Sequence, residues 1–270
     1  MKAIRIAVSG IALVICMPLA HAQDAVPIHP TLNDKFYFAA GAFLPRTSTT
    51  AQLDSTSLGV GTNINFEQAL GMTTQKVVPD AFARWRFGDH WRFEVEYFAL
   101  NRNGDKVLEQ NITWKGQVFT TGTEVVSKFD FSDLRTSVGY SFFKTADKEL
   151  GVGFGFHVAS YDVALSASGI GDEAQKVTAP LPVFSVYGQF ALTDRWAVGG
   201  RLDRFVMSYD QYQGNITSMA LDLNYHPFRH VGFGLGYRSL FITLKATGTN
   251  YSALFAQTFQ GPLLYMDASF

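Results

Sequence analysis

Cysteine is almost missing from this chain of 270 residues. The only one, Cys16, lies in the N-terminal segment that reads as an export signal, so the exported part has no thiol, disulfide or cysteine-ligated metal. Lipid attachment at Cys16 is disfavoured, because bulky Ile15 stands where a lipoprotein signal has a small residue. Beyond that segment no apolar run reaches the roughly 18 residues that a membrane-crossing helix requires, which excludes helical spans. The six histidines show no ligand spacing, so neither a metal nor another cofactor is expected. Charge of one sign is lacking too: Lys2 and Arg5 leave with the signal, and the remaining 20 basic residues face 23 acidic ones. That balance argues against nucleic acid as a partner.

The N-terminus supplies the first positive feature. Lys2 and Arg5 open the chain, Ile6 to Leu19 follow as a short apolar run broken by Ser9-Gly10 and Pro18, and Ala20-His21-Ala22 places small residues at the cleavage positions. The pattern predicts a secretory signal peptide over residues 1–22, cut before Gln23. A single domain over 23–270 is expected to follow. Its composition is that of a strand former, with 24 Phe, 11 Tyr and 24 Gly beside six Met.

A period of two runs through the chain. In the last eight residues Leu264, Met266, Ala268 and Phe270 share one face, while Tyr265, Asp267 and Ser269 share the other. Short turns are expected at Gly88-Asp89-His90, Thr145-Ala146-Asp147-Lys148, Thr193-Asp194-Arg195 and Pro227-Phe228-Arg229-His230. Longer polar connections are expected around 101–110, 166–178, 209–217 and 246–252. Between them the alternation predicts ten strands, near 35–46, 77–87, 91–101, 130–143, 149–162, 181–192, 196–208, 217–226, 231–245 and 259–270. Residues 49–68 and 111–127 are left over. They read as extracellular hairpin extensions, the second turning at Thr121-Gly122, or the first as an added membrane pair. Ten strands are favoured, with eight and twelve open.

Which face is apolar decides between a soluble sandwich and a membrane barrel. One face carries Ala81, Ala83, Trp85, Phe87, Phe93, Val95 and Tyr97, and continues strand after strand through Phe154, Phe156, Val186, Leu221, Leu223, Phe233 and Leu235. The other carries Asp80, Arg84, Arg86, Arg92, Glu94, Glu96, Arg135, His157, Arg201, Asp203, Asp222, His226, Arg238 and Asp267. As the core of a water-soluble barrel, six arginines and six carboxylates would cost several kcal/mol each unless paired. With lipid on the apolar face the conflict disappears and the charges line a lumen. An all-β, antiparallel transmembrane β-barrel is therefore expected, with a narrow or closed lumen at this strand count. Trp85, Phe87, Trp91, Phe142, Phe190, Trp196 and Phe270 fall beside short turns or at the final strand's end, as an interfacial aromatic girdle would.

These features, namely the Ala20-His21-Ala22 signal end, the short-turn hairpins and the final strand, resemble the small outer-membrane β-barrel proteins of Gram-negative bacteria. The resemblance is one of architecture. It implies an outer-membrane location among lipid and lipopolysaccharide, a monomer, and reading of Leu264, Met266, Ala268 and Phe270 by the barrel assembly machinery. The stretches Thr62 to Gly71 and Ile112 to Ser127 are similar to elements of an uncharacterised group of such barrels, which brings no activity with it.

Three function classes follow. The first is a structural barrel or passive path for small solutes or ions. The second is a lipid-modifying enzyme, for which Phe156-His157-Val158-Ala159-Ser160 resembles the neighbourhood of lipid A deacylases; a three-residue offset along a strand, however, puts His157 and Ser160 on opposite faces. No catalytic residue is assigned. The third is adhesion through loops, with Phe119 and Tyr251 as raised aromatics.

Overall fold

The computed structural model describes residues 28–55, 63–114, 117–168, 171–209, 212–247 and 251–270. The expected signal peptide and the side chain of Tyr251 lie outside the described residues.

A short helix α1 (Pro30–Asn33) precedes β1 (Phe36–Phe43), β2 (Arg46–Ser55), β3 (Asn63–Asn65), a second short helix α2 (Phe66–Ala69), β4 (Val78–Phe87) and β5 (Trp91–Val107). Then come β6 (Ile112–Trp114), β7 (Gln117–Phe119), β8 (Glu124–Lys144), β9 (Lys148–Ala167), β10 (Gly171–Ala191), β11 (Trp196–Tyr209), β12 (Tyr212–Tyr225), β13 (Val231–Thr247) and β14 (Tyr251–Ser269). The strands β1, β4, β5 and β8 to β14 form one antiparallel ring, closed where Tyr37 to Phe43 of β1 pair with Ser269 to Leu263 of β14. The ring is ten-stranded, and all four short turns fall where the sequence puts them.

Residues 49–68 add no membrane pair. Strand β2 runs on beyond β1 along the far part of β14, from Gln260 opposite Arg46 to Tyr251 opposite Ser55, and β3 adds three residues to its other edge. Helix α2 bridges the space between β2 and β5. Arg102 of β5 donates to Glu67 of α2 and, at 2.6 Å, to Thr49 Oγ1 of β2, while Thr49 N donates to Glu67 Oε2 at 3.0 Å. The second leftover stretch differs from expectation. Its hairpin pairs β6 with β7, Trp114 opposite Gln117, and Gly122, whose φ of 85° suits glycine, instead turns the chain into β8.

The strands are longer than a membrane requires. A tilted strand crosses the roughly 25 Å apolar band in about 9–11 residues, whereas β8 and β10 have 21 residues, β9 has 20 and β14 has 19. The connections expected at 101–110, 166–178 and 209–217 are largely continuous strand instead. In the far halves of these long strands the outward positions are polar, with Asn101, Asn103 and Asp105 on β5, Lys128, Asp130 and Ser132 on β8, and Ser160 and Asp162 on β9. Their inward positions are apolar: Phe98, Leu100, Phe129, Phe131, Tyr161, Val163, Leu165, Ile242 and Phe259 are all buried. Phe131 stacks on Phe259 with centroids 4.5 Å apart. Beyond the membrane the outer face meets water, so the alternation inverts and the interior becomes an ordinary hydrophobic core. Ile112 and Phe119 of the β6–β7 hairpin join it. Phe119, expected as a raised loop aromatic, is fully buried.

Candidate functional site

The half of the barrel nearer the short turns has the opposite interior. Every charged residue of the inward set is buried or half-buried here, and together they form one belt of ion pairs. Where one strand carries several they lie two or four residues apart, as Arg84–Arg86, Arg92–Glu94–Glu96 and Arg201–Asp203 do, so neighbouring strands stack their charges into the same layers.

At the belt's centre is Asp203 of β11. It accepts from Arg135 of β8 at 2.8 and 3.1 Å, from Arg201 at 2.9 Å and from Ser185 at 2.5 Å. Arg135 also reaches Glu94 of β5 at 3.1 Å. Glu96 of β5 accepts from Arg201 at 2.6 Å and from Arg238 of β13 at 3.1 Å, and Arg238 reaches Asp222 at 2.9 Å. Strand β5 is not adjacent to β11 or β13 in the ring, so these bonds cross the lumen. Arginine suits them, because its planar fork can serve two carboxylates at once. His157 Nδ1 lies 2.7 Å from Asp133 Oδ2, and its Nε2 lies 3.6 Å from Asp203.

Nearer the short turns, Glu149 pairs with Arg86 at 2.6 Å and with Arg92 at 3.8 Å, and accepts from Ser141 at 2.5 Å. Arg92 also lies over the Tyr187 ring, 3.0 Å from its centroid. Asn224 donates to Tyr265 at 2.8 Å and Tyr37 at 3.1 Å, and His226 Nε2 lies 2.5 Å from Asp267. A residual cavity of about 70 Å³ remains in this layer, bounded by Asp80, Arg84, Glu94, Arg201 and Tyr265 among others.

The segment before β1 plugs the mouth below. Pro30 starts α1, its missing N–H costing nothing at that position. The carbonyl of Thr31 accepts from Arg84 and, at 3.1 Å, from Arg86, while Gln189 donates to Thr31 Oγ1 at 2.6 Å. Leu32 is fully buried against Ala191 and Ala197. Asp34 accepts two bonds from Arg229, at 2.6 and 2.7 Å; burial raises its pKa, and the Arg229 hydrogen bonds outweigh that and hold it below the ordinary value.

His29 gives this plug a pH dependence. Burial, and then the charge on His226 whose ring lies 4.9 Å away, lower its pKa to about 4, against weaker opposing pulls from a backbone hydrogen bond with Arg195 and then from Asp267 and Asp194. The released segment therefore binds a proton that the docked one does not between about pH 6.5 and pH 4. Docking is strongest above about pH 6.5 and weakens as pH falls through that window. Hydrogen exchange at residues 31–35, divided by the intrinsic rate at each pH, is expected to show lower protection at pH 5 than at pH 7.5 in the wild type. His29→Gln is expected to flatten the difference, and an unchanged pH response in that variant would show that another group controls it.

The expected girdle residues lie on the outer wall. Trp85, Trp91, Phe142, Trp196 and Phe270 are exposed, Phe190 is just so, and Phe87 is half-buried between Trp85 and Trp91. A bulge between Tyr140 and Phe143 turns both Phe142 and Phe143 outward. Leu264, Met266 and Phe270 are exposed on β14, with Ala268 half-buried. His157 and Ser160 point to opposite faces: Ser160 bonds to Thr178 at 3.1 Å, away from the histidine.

Sequence reasoning missed Asp133, Glu149, Tyr187 and Gln189, although each shares the inward parity of its strand. It also missed His29, Thr31 and Asp34, where no period exists to find them.

No protein family matches the chain, and no curated protein is similar to it in sequence. Solved structures are similar in fold. Outer membrane protease OmpT from Escherichia coli superposes with a TM-score of 0.54 and 11% identity, over 89% of this chain and 98% of that one. Outer membrane protein OprG from Pseudomonas aeruginosa gives 0.38 and 10%, over 88% and 96%. Neisserial surface protein A gives 0.32 and 13%, over 87% and 97%. At these identities the likeness is one of fold alone.

Proposed function

We propose that this chain is an integral outer-membrane barrel with a shut lumen, a structural wall component that does not act as an open pore. The observation that carries the reading is Glu96, held on one side of the lumen and bonded to Arg201 and Arg238 from the other. Arg135 and Asp203 cross beside it, so the described side chains bridge the lumen at this level, and α1 plugs the mouth below. In this reading the belt from Asp80 to Asp267 locks opposite walls together, and the exposed aromatics seat the barrel among lipid and lipopolysaccharide at the headgroup level. The face Leu264, Met266, Ala268 and Phe270 serves recognition by the assembly machinery. The barrel works as a monomer, since β1 closes on β14 of the same chain.

Planar-bilayer recording tests the shut state. Purified, heat-modifiable protein is expected to give no unitary current steps in molar potassium chloride. Glu96→Ala, which frees Arg201 and Arg238 from their shared partner, is expected to give intermittent ones. Steady, ion-selective steps from the wild type would overturn the reading in favour of a passive channel.

A further inference from the structure

The ring is not sealed along its whole height. Strands β10 and β11 pair only from Ala191 opposite Ala197 to Phe184 opposite Arg204. Beyond that point β10 continues with β9 as far as Gly171, and β11 continues with β12 as far as Tyr209, without pairing to each other. The cause is in the sequence. Along β10 the N–H groups alternate sides: Leu192 donates to Trp196 at the start of β11, while Ala191 donates to Asp147 on the β9 side. Even-numbered residues therefore owe their N–H to β11, and the next two after Phe184 are Pro182 and Pro180, which have none to give.

This seam opens near the outer edge of the apolar band. It begins beyond the eight residues of β10 from Ala191 to Phe184 and the nine of β11 from Trp196 to Arg204, where roughly 9–11 residues span the band. Its outer lips are Phe184, 63% exposed, and opposite it the exposed Arg204, which donates to Thr217 at 2.6 Å, with Val206 above it 60% exposed. Behind it lies a chamber of about 630 Å³, within the usual range for small-molecule sites. Leu181, Phe205, Met207, Ile216, Leu244 and Phe255 line it, and all but Ile216 remain partly or well exposed. The belt centred on Asp203 closes it below. Exposed Lys245, with Asn215 and Gln213, stands at the rim.

We propose that this chamber binds one alkyl chain bearing an anionic head, a long-chain fatty acid anion, which enters sideways from the outer leaflet through the β10–β11 seam. Apolar Phe184 and Val206 flank the opening into an apolar, incompletely covered cavity, and two exposed cations, Arg204 on the outer wall at the seam and Lys245 at the rim, suit a carboxylate. One chain fits a chamber of this size, whereas a lipid with several chains exceeds it. The inference goes beyond the shut-lumen reading, because the chamber lies above the belt and fills from the side whether or not the belt conducts.

The test uses the full exported chain in lipid nanodiscs with hexadecanoate labelled with carbon-13 at the carboxyl carbon, followed by NMR and by native mass spectrometry. Saturable binding of one hexadecanoate per barrel is expected. Leu244→Trp, which fills the chamber, is expected to weaken it at least tenfold. Pro180→Val with Pro182→Val restores the two donors and is expected to slow loading about tenfold while changing the equilibrium constant little. Lys245→Gln is expected to weaken hexadecanoate several-fold and hexadecanol hardly at all, which keeps the test decisive if the tryptophan variant does not fold. No saturable binding above that of empty nanodiscs, or binding that is indifferent to both Leu244→Trp and Lys245→Gln, overturns the proposal. Bilayer recordings of the same protein report on the belt separately.

Discussion

Asp203→Ala lowers the stability of the barrel by about 3–5 kcal/mol, the usual result of removing one partner from a buried ion pair. Asp203 has no exposed surface and takes hydrogen bonds from Arg135, Arg201 and Ser185. Alanine leaves Arg135 with Glu94 and Arg201 with Glu96, so two guanidinium groups each lose a carboxylate in a place that water reaches poorly. The magnitude comes from the charge left behind and not from the net worth of the pair, which desolvation largely offsets. The double variant Asp203→Ala with Arg135→Ala is therefore expected to cost clearly less than the two single changes combined. Equilibrium unfolding in urea from lipid vesicles, followed by tryptophan emission and by gel mobility of unheated samples, measures each corner of the cycle. Strict additivity would show that the belt does not act as a unit.

Gly155→Ala is expected to be nearly as damaging, at about 3 kcal/mol, the upper end of overpacking costs. A Cβ added at Gly155 of β9 overlaps the carbonyl oxygen of Thr136 in β8 and comes within 2.7 Å of Ser137 Cβ. The obstacle is backbone, so no rotamer change relieves it, and the two strands must part where Arg135 faces His157. Gly199→Ala is the control, because the nearest atoms to its added Cβ are 3.6 Å away; it is expected to shift the midpoint by less than about 1 kcal/mol, since alanine also restricts the unfolded chain. The same unfolding experiment ranks the two. Equal effects would mean that glycine is needed along these strands for conformational reasons and not for close approach.

These outcomes depend on features that differ in how plainly the sequence displays them. Arg84, Arg86, Arg92, Glu94 and Glu96 alternate with Ala83, Trp85, Phe93 and Val95 over two strands joined at Gly88-Asp89-His90, and such a pattern has one economical reading. The failures are specific. Residues 101–107 look like a polar loop because Asn101, Asn103 and Asp105 are hydrophilic, although they are the water-facing side of a strand whose other side carries Leu100. Phe119 looks like a raised aromatic because a loop aromatic and a core aromatic are the same letter.

The sequence by itself determined an antiparallel barrel wall, with ten strands favoured over eight or twelve, its four short turns and the parity of its strands, because a period of two is a local property that pairing in register must respect. The tertiary structure alone decided where that parity changes meaning. Lipid ends at a height that no single strand marks, and above it the apolar side turns inward. The same holds for the plug made by His29 to Asp34, for the partners chosen across the lumen by Glu96, and for the seam at Pro180 and Pro182. Each depends on which strand happens to stand opposite, and closure of the ring is what sets that.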